Sequence, residues 1–184
     1  MNKYVRAAVV VPFGAIKICW TKLFHLRNFH GPIVCMISPS TEISIDRGAK
    51  LSIGKMFKMR DGAKLRVRKG AECVIGKNTS VNSNNMIACH EKIVIGDGVQ
   101  FSPNVQIYDH DHDFRHPDGL NANRFKTAPV VIGNNCWIGA NTVILKGTTL
   151  GDNCVVGAGS IIKGEFPAGT VIVQKCDTEI RGMI

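Results

Sequence analysis

The sequence predicts an all-β solenoid, and three features of residues 132–162 carry that reading. Ile132, Ile138, Ile144, Leu150, Val156 and Ile162 stand at unbroken intervals of six. Gly133, Gly139, Gly151 and Gly157 directly follow four of them. The residues two places before the last five are all small: Cys136, Thr142, Thr148, Cys154 and Ser160. Along a helix a step of six turns a side chain through about 600° and scatters these positions over three faces. In an extended chain an even step returns to the same face, so the aliphatic residues line one interior. The glycines weaken a helix and suit a chain that turns sharply after each short strand.

The rhythm recurs earlier as Ile75, Val81, Ile87 and as Ile95, Phe101, Ile107, with looser echoes in "GAKLSIG", "GAKLRVR" and "GAECVIG". Stacked rungs of this kind bury their aliphatic residues against each other, so the core is a column of Ile, Val and Leu. We read the 184 residues as a single domain 1–184. It comprises an N-terminal segment over 1–40, the solenoid over 43–163 with an interrupting loop over 108–131, and a tail over 164–184.

The first segment places Lys3 and Arg6 before an apolar run from Ala7 to Ile16, which imitates a secretion signal. Lys17 follows without a cleavage site, and the run is too short to cross a bilayer as a helix. Two readings stand: a docked, helical N-terminal segment, or an interfacial helix with Trp20, Leu23 and Phe24 on one side.

Lys and Arg number 23 against 14 Asp and Glu, a net charge of +9 that favours an anionic partner. The basic residues are scattered from Lys3 to Arg181 and aromatic side chains are few, so no nucleic-acid partner is expected. The seven cysteines form no CxxC pair, and Cys73, Cys136 and Cys154 serve as small hydrophobes inside repeats. A reducing cytoplasm is the expected compartment.

The solenoid breaks between Ile107 and Ile132 with a polar stretch that holds "QIYDHDHDFRHPDG". A long loop on a rigid repeat scaffold is a natural carrier of function. Histidine, with an ordinary pKa near 6.5, suits proton transfer at neutral pH. His110 and His112 alternate onto one side of an extended segment, yet His112 and His116 have weaker claims than His110: with Asp109, Asp111 and Asp113 around them they orient the loop, hold the imidazole's other nitrogen or meet water. The His-x-His pair and its carboxylates also admit a reading as a divalent metal site.

The tandem [LIV]-G-x-x-[small]-x pattern resembles the hexapeptide-repeat acyltransferases. That resemblance, and not the spacing, implies a left-handed parallel β-helix with three six-residue sides per coil. Within the family the loop is similar to that of the maltose, galactoside and xenobiotic acetyltransferases and of the capsule and exopolysaccharide O-acetyltransferases. There a loop histidine follows a "PNV" segment, and "SPNVQIYDH" places His110 at that position.

The resemblance therefore implies an acetyl-CoA-dependent O-acetyltransferase acting on a sugar or glycan hydroxyl, with His110 as general base; direct attack without an acyl-enzyme is expected because no suitably based Ser or Cys nucleophile is evident. Acetyl-CoA enters as the acyl donor and no metal is expected. It further implies an oxyanion donor at the Ala140 N–H, substrate contacts from Asn82, His112 and Trp137, and cofactor contacts from Gly139 and Ala158. Lys163, Lys175 and Arg181 stand in for the phosphate-binding stretch that the family carries and this chain lacks.

His90 replaces an acidic residue of the sugar acetyltransferases, which biases the acceptor toward glycans or lipid-linked sugars. A homotrimer with sites between subunits is implied, and the basic N-terminus suits the inner face of a membrane. Two rival readings use the same scaffold: a metal-dependent, carbonic-anhydrase-like enzyme, and a non-catalytic binding module.

Overall fold

The computed structural model describes residues 3–175, with side chains from Ala8 onward. Its short strands stack into three parallel sheets of seven, seven and six strands, which form the sides of a triangular prism. The first sheet runs from Phe29–His30 to Glu165–Phe166, the second from Met36–Ile37 to Val171–Ile172, and the third from Glu42–Ile45 to Ile161–Ile162. This is the left-handed parallel β-helix expected from the resemblance.

The six-residue step moves the chain from one sheet to the next. Ile132 and Leu150 are paired in the first sheet, Ile138 and Val156 in the second, and Ile144 and Ile162 in the third. All six side chains are buried in one continuous core. Cys136, Thr142, Thr148, Cys154 and Ser160 are buried too, and several satisfy their polar atoms on carbonyls of the neighbouring rung.

Turning and stacking fall to different residues, which refines the sequence reading of the glycines. The left-handed corner torsions belong to Gly147 and Gly159 and to a series of asparagines that includes Asn135, Asn141 and Asn153. Asparagine tolerates this region because its short amide bonds locally. Gly133, Gly139 and Gly151 are required instead by the rung above: a Cβ on Gly139 would lie 2.5 Å from Ala158 N, and one on Gly151 2.4 Å from Ala168 N.

The N-terminal segment forms one helix, α1 (Lys3–Phe24), which contains Pro12. Val10, Gly14, Ile18 and Thr21 are its buried face, and the helix closes the first end of the prism. A Cβ on Gly14 would stand 2.5 Å from Cys35 O, so only glycine allows this approach. Lys17 Nζ reaches past the helix to donate to Thr41 O at 2.6 Å and Thr41 Oγ1 at 3.0 Å. Burial lowers its pKa.

Candidate active site

The polar loop leaves the third sheet after Gln106–Tyr108 and re-enters the first at Val130–Ile132. Its two ends pair as an antiparallel ribbon, His110–His112 against Phe125–Thr127, with His112 opposite Phe125. Lys146 fastens the ribbon from below, donating to Lys126 O at 3.0 Å and pairing with Asp111 at 3.3 Å. Lys126 pairs with Asp113 at 2.8 Å and holds that carboxyl below its usual range.

Asp109 is the pivot. It is fully buried, and its carboxylate accepts the backbone N–H groups of His90, Glu91 and Lys92 at 2.7–3.0 Å. It also lies 3.2 Å from His110 Nδ1. A carboxylate accepts only, so in the neutral ring Nδ1 carries the proton and Nε2 is the free nitrogen. Its backbone carbonyl receives Ala128 N–H at 2.9 Å, which closes the loop at its base.

The His110 ring stacks on His90, with centroids 3.6 Å apart and planes 27° from parallel. Phe125 covers the pair, 4.3 Å from His90 and 5.4 Å from His110. Burial first, and then the neighbouring His110, push the His90 pKa down to about 4, so His90 is neutral at physiological pH. Stacked rings hold their in-plane lone pairs side by side, not aimed at one point. Among the described residues no three His, Cys, Asp or Glu side chains are grouped to hold a metal ion.

These residues open onto a cleft of about 890 Å³ over the outer face of the third sheet. His90, His110 and His112 line it together with Tyr108 and Phe125, and Arg66, Arg68 and Lys69 lie along its floor and rim. Ala88 stands between Arg66 and Tyr108 in the sheet register, and its small side chain leaves the space between them open. Arg66 makes a two-pronged contact with Glu42 at 2.7 and 3.0 Å. His110 and His112 therefore share one cleft, as alternation required, whereas His116 turns away and accepts Asp118 N–H at 3.1 Å.

The other expected site residues lie elsewhere. Asn82, Ala140 and Ala158 occupy turns on the edge between the second and third sheets, while His110 rises from the edge between the third and first. Trp137 lies on the second sheet, 56% exposed, with Nε1 donating to Ser102 Oγ at 3.2 Å. The Asn82 side chain accepts from Ser83 N. Corner N–H groups of Lys77, Asp97 and Asn134 are bound to side chains of the next rung. The Ala140 N–H donates to no acceptor among the described residues. Lys163 and Lys175 are exposed, and Arg181 lies outside the described residues.

Residues 129–163 match the family model described as the hexapeptide repeat of succinyl-transferase. That segment carries the hexapeptide repeat. The chain is 44% identical over 99 residues to nodulation protein L of Rhizobium meliloti (strain 1021), covering 54% of each. It is 39% identical over 75 residues to galactoside O-acetyltransferase of Escherichia coli (strain K12), covering 41% of this chain and 36% of that protein. The chain thus spans about half the length of the first of these relatives and about a third of the second. The fold matches AntD, an N-acyltransferase from Bacillus cereus solved with dTDP and 3-hydroxybutyryl-CoA. That match has a TM-score of 0.64 and 20% identity, over 83% of this chain and 81% of that one.

Of the residues that build the site, Asp109, Tyr108 and Phe125 gave the weakest sequence signal. Asp109 sits next to His110 and looked like one of several loop carboxylates. Phe125 lies 15 residues from His110 in an aperiodic stretch, and only the ribbon pairing brings it over the stack.

Proposed function

We propose that this hexapeptide-repeat protein is an acetyl-CoA-dependent O-acetyltransferase whose acceptor is a sugar or glycan hydroxyl. The observation that carries the reading is the Asp109–His110 pair, in which a buried carboxylate holds Nδ1 of a histidine that lines a large polar cleft. The acetyltransferase named among its relatives supports the reaction class.

His110 takes the proton from the acceptor hydroxyl as its oxygen attacks the thioester carbonyl. The resulting oxyanion is stabilised by a backbone donor, for which Ala140 N–H is the candidate. Collapse breaks the carbon–sulfur bond, and the departing CoA thiolate recovers the proton from the imidazolium. No acyl-enzyme is required.

His110 and Ala140 stand on different edges of one prism, so a complete site needs a second copy. We assign the working form as a homotrimer in which the His110 edge of one subunit faces the Ala140 edge of the next, with Gly139, Ala158 and Trp137 along the cofactor path. Asn82 and His112 are then placed to contact the acceptor, and Lys163, Lys175 and Arg181 to meet the CoA phosphates.

Thiol release from acetyl-CoA with a panel of sugars tests the chemistry: His110→Ala should lose about 10²–10⁴-fold in kcat. Full activity in that variant would sink the assignment. Mixing His110→Ala with Ala158→Trp subunits tests the shared site, because only mixed trimers rebuild an intact one.

A further inference from the structure

Helix α1 has a second apolar face that the fold leaves uncovered. Val9, Phe13, Ile16, Trp20, Leu23 and Phe24 fall within an arc of about 100° beside the docked face. All are exposed, Trp20 by 65% and Leu23 by 64%. Trp20 and Phe24 pack on each other with ring centroids 5.0 Å apart. The apolar surface continues past the helix through Leu26, Ile33 and Val34, all more than half exposed. Two surface grooves of about 310 and 340 Å³ flank this end, lined by Lys22, Leu26 and His30 and by Phe24, His25 and Arg27. A contiguous exposed stripe of this kind marks an interaction site, whereas scattered surface hydrophobes do not.

The charge beside the stripe identifies what it meets. Residues 1–41 contain Lys3, Arg6, Lys17, Lys22 and Arg27 and not one Asp or Glu. Lys17 is turned inward onto Thr41, and Lys22 projects about 150° from the centre of the stripe, on the docked side near Cys35; Arg27 and His25 stand beside Phe24 at the groove end. A second copy of the chain on this face would bring two acid-free cationic surfaces together. An anionic lipid surface offers apolar depth for the stripe and negative headgroups for its rim. Among the described residues no helix is long and apolar enough to cross a bilayer. The buried contacts of Ile18 and Thr21 also fix α1 flat against the prism, in a posture suited to lying in the interface.

We propose that the outer face of α1 docks this protein onto an anionic membrane surface, with Phe13, Ile16, Trp20, Leu23 and Phe24 inserted at the acyl boundary and Arg27 at the headgroups. The inference is independent of the catalytic reading, because its readout is binding and not turnover.

The test is co-sedimentation of the full chain with vesicles of mixed phosphatidylglycerol and phosphatidylcholine, against vesicles of phosphatidylcholine alone. The wild type should partition onto the anionic vesicles at least tenfold more strongly, and added salt should weaken it. Ile16→Glu with Trp20→Glu, both outward-facing, should abolish binding while circular dichroism and thiol release with soluble sugars stay unchanged. Arg27→Gln should lower anionic partitioning by about fivefold and spare the stripe. Failure of the wild type to bind, or equal binding by the Glu variant, overturns the proposal. Self-association in ultracentrifugation that the same Glu variant dissolves also overturns it, and assigns the face to a second copy.

Discussion

Asp109 and His90 act on His110 from two sides, one through a hydrogen bond and one through its ring. In Asp109→Asn a single amide oxygen would have to serve the three N–H groups of His90, Glu91 and Lys92, and the amide could no longer fix the His110 tautomer. The expected result is a fall in kcat of about 10²-fold or more with a smaller change in the KM for acetyl-CoA, measured by steady-state thiol release. His90 gives a pH signature. Its folded pKa of about 4 lies below the ordinary 6.5, so between these values the unfolded chain binds the extra proton. Stability should therefore fall as the pH is lowered from about 6.5 to about 4, and denaturant titrations of His90→Gln should show a shallower slope across that window. In the sequence Asp109 is one of three carboxylates able to orient the loop, and His90 only a departure from the family's acidic residue. His90 and His110 are 20 positions apart, one coil with its local irregularity, and their stacking depends on a register that no six-residue count supplies.

At the scale of elements, the rungs were readable because burial and spacing coincide, with each sixth residue pointing inward whichever sheet it joins. The loop was readable as an interruption, but not its fold, since the His110–His112 and Phe125–Thr127 ribbon has no apolar alternation and is held by charge. Lys146 is the clearest lever on it. Its ammonium meets both strands, through Lys126 O and the Asp111 carboxylate. Lys146→Ala should speed amide exchange across the ribbon and lower kcat/KM by about tenfold, because small displacements of a catalytic group are costly. The helix was expected, yet its docking face was hidden: Gly14 looks like a helix weakness until Cys35 O is seen against it.

For the whole molecule, stability is shared between neighbouring rungs and not gathered at one centre. Ile144 has no exposed surface and stacks between Ile107 and Ile162, so Ile144→Ala should cost about 2–5 kcal/mol by chemical denaturation. Ile161, next to Ile162 on the outer face and 57% exposed, should tolerate alanine within about 0.5 kcal/mol. The contrast tests the inward and outward assignment directly. A swapped result would mean that the register of the last coils is displaced by one residue.

The end closed by α1 has a further meaning. A stack of parallel rungs is a template for its own extension, since the first rung would otherwise offer open backbone groups to any passing strand. Met36 and Ser38 send their N–H groups to the second rung, which leaves Cys35 O and Ile37 N facing outward. Gly14 of the helix lies directly against those two atoms. A helix cannot be lengthened by strand addition, so by lying there it ends the column and keeps one molecule from becoming the seed of a fibre.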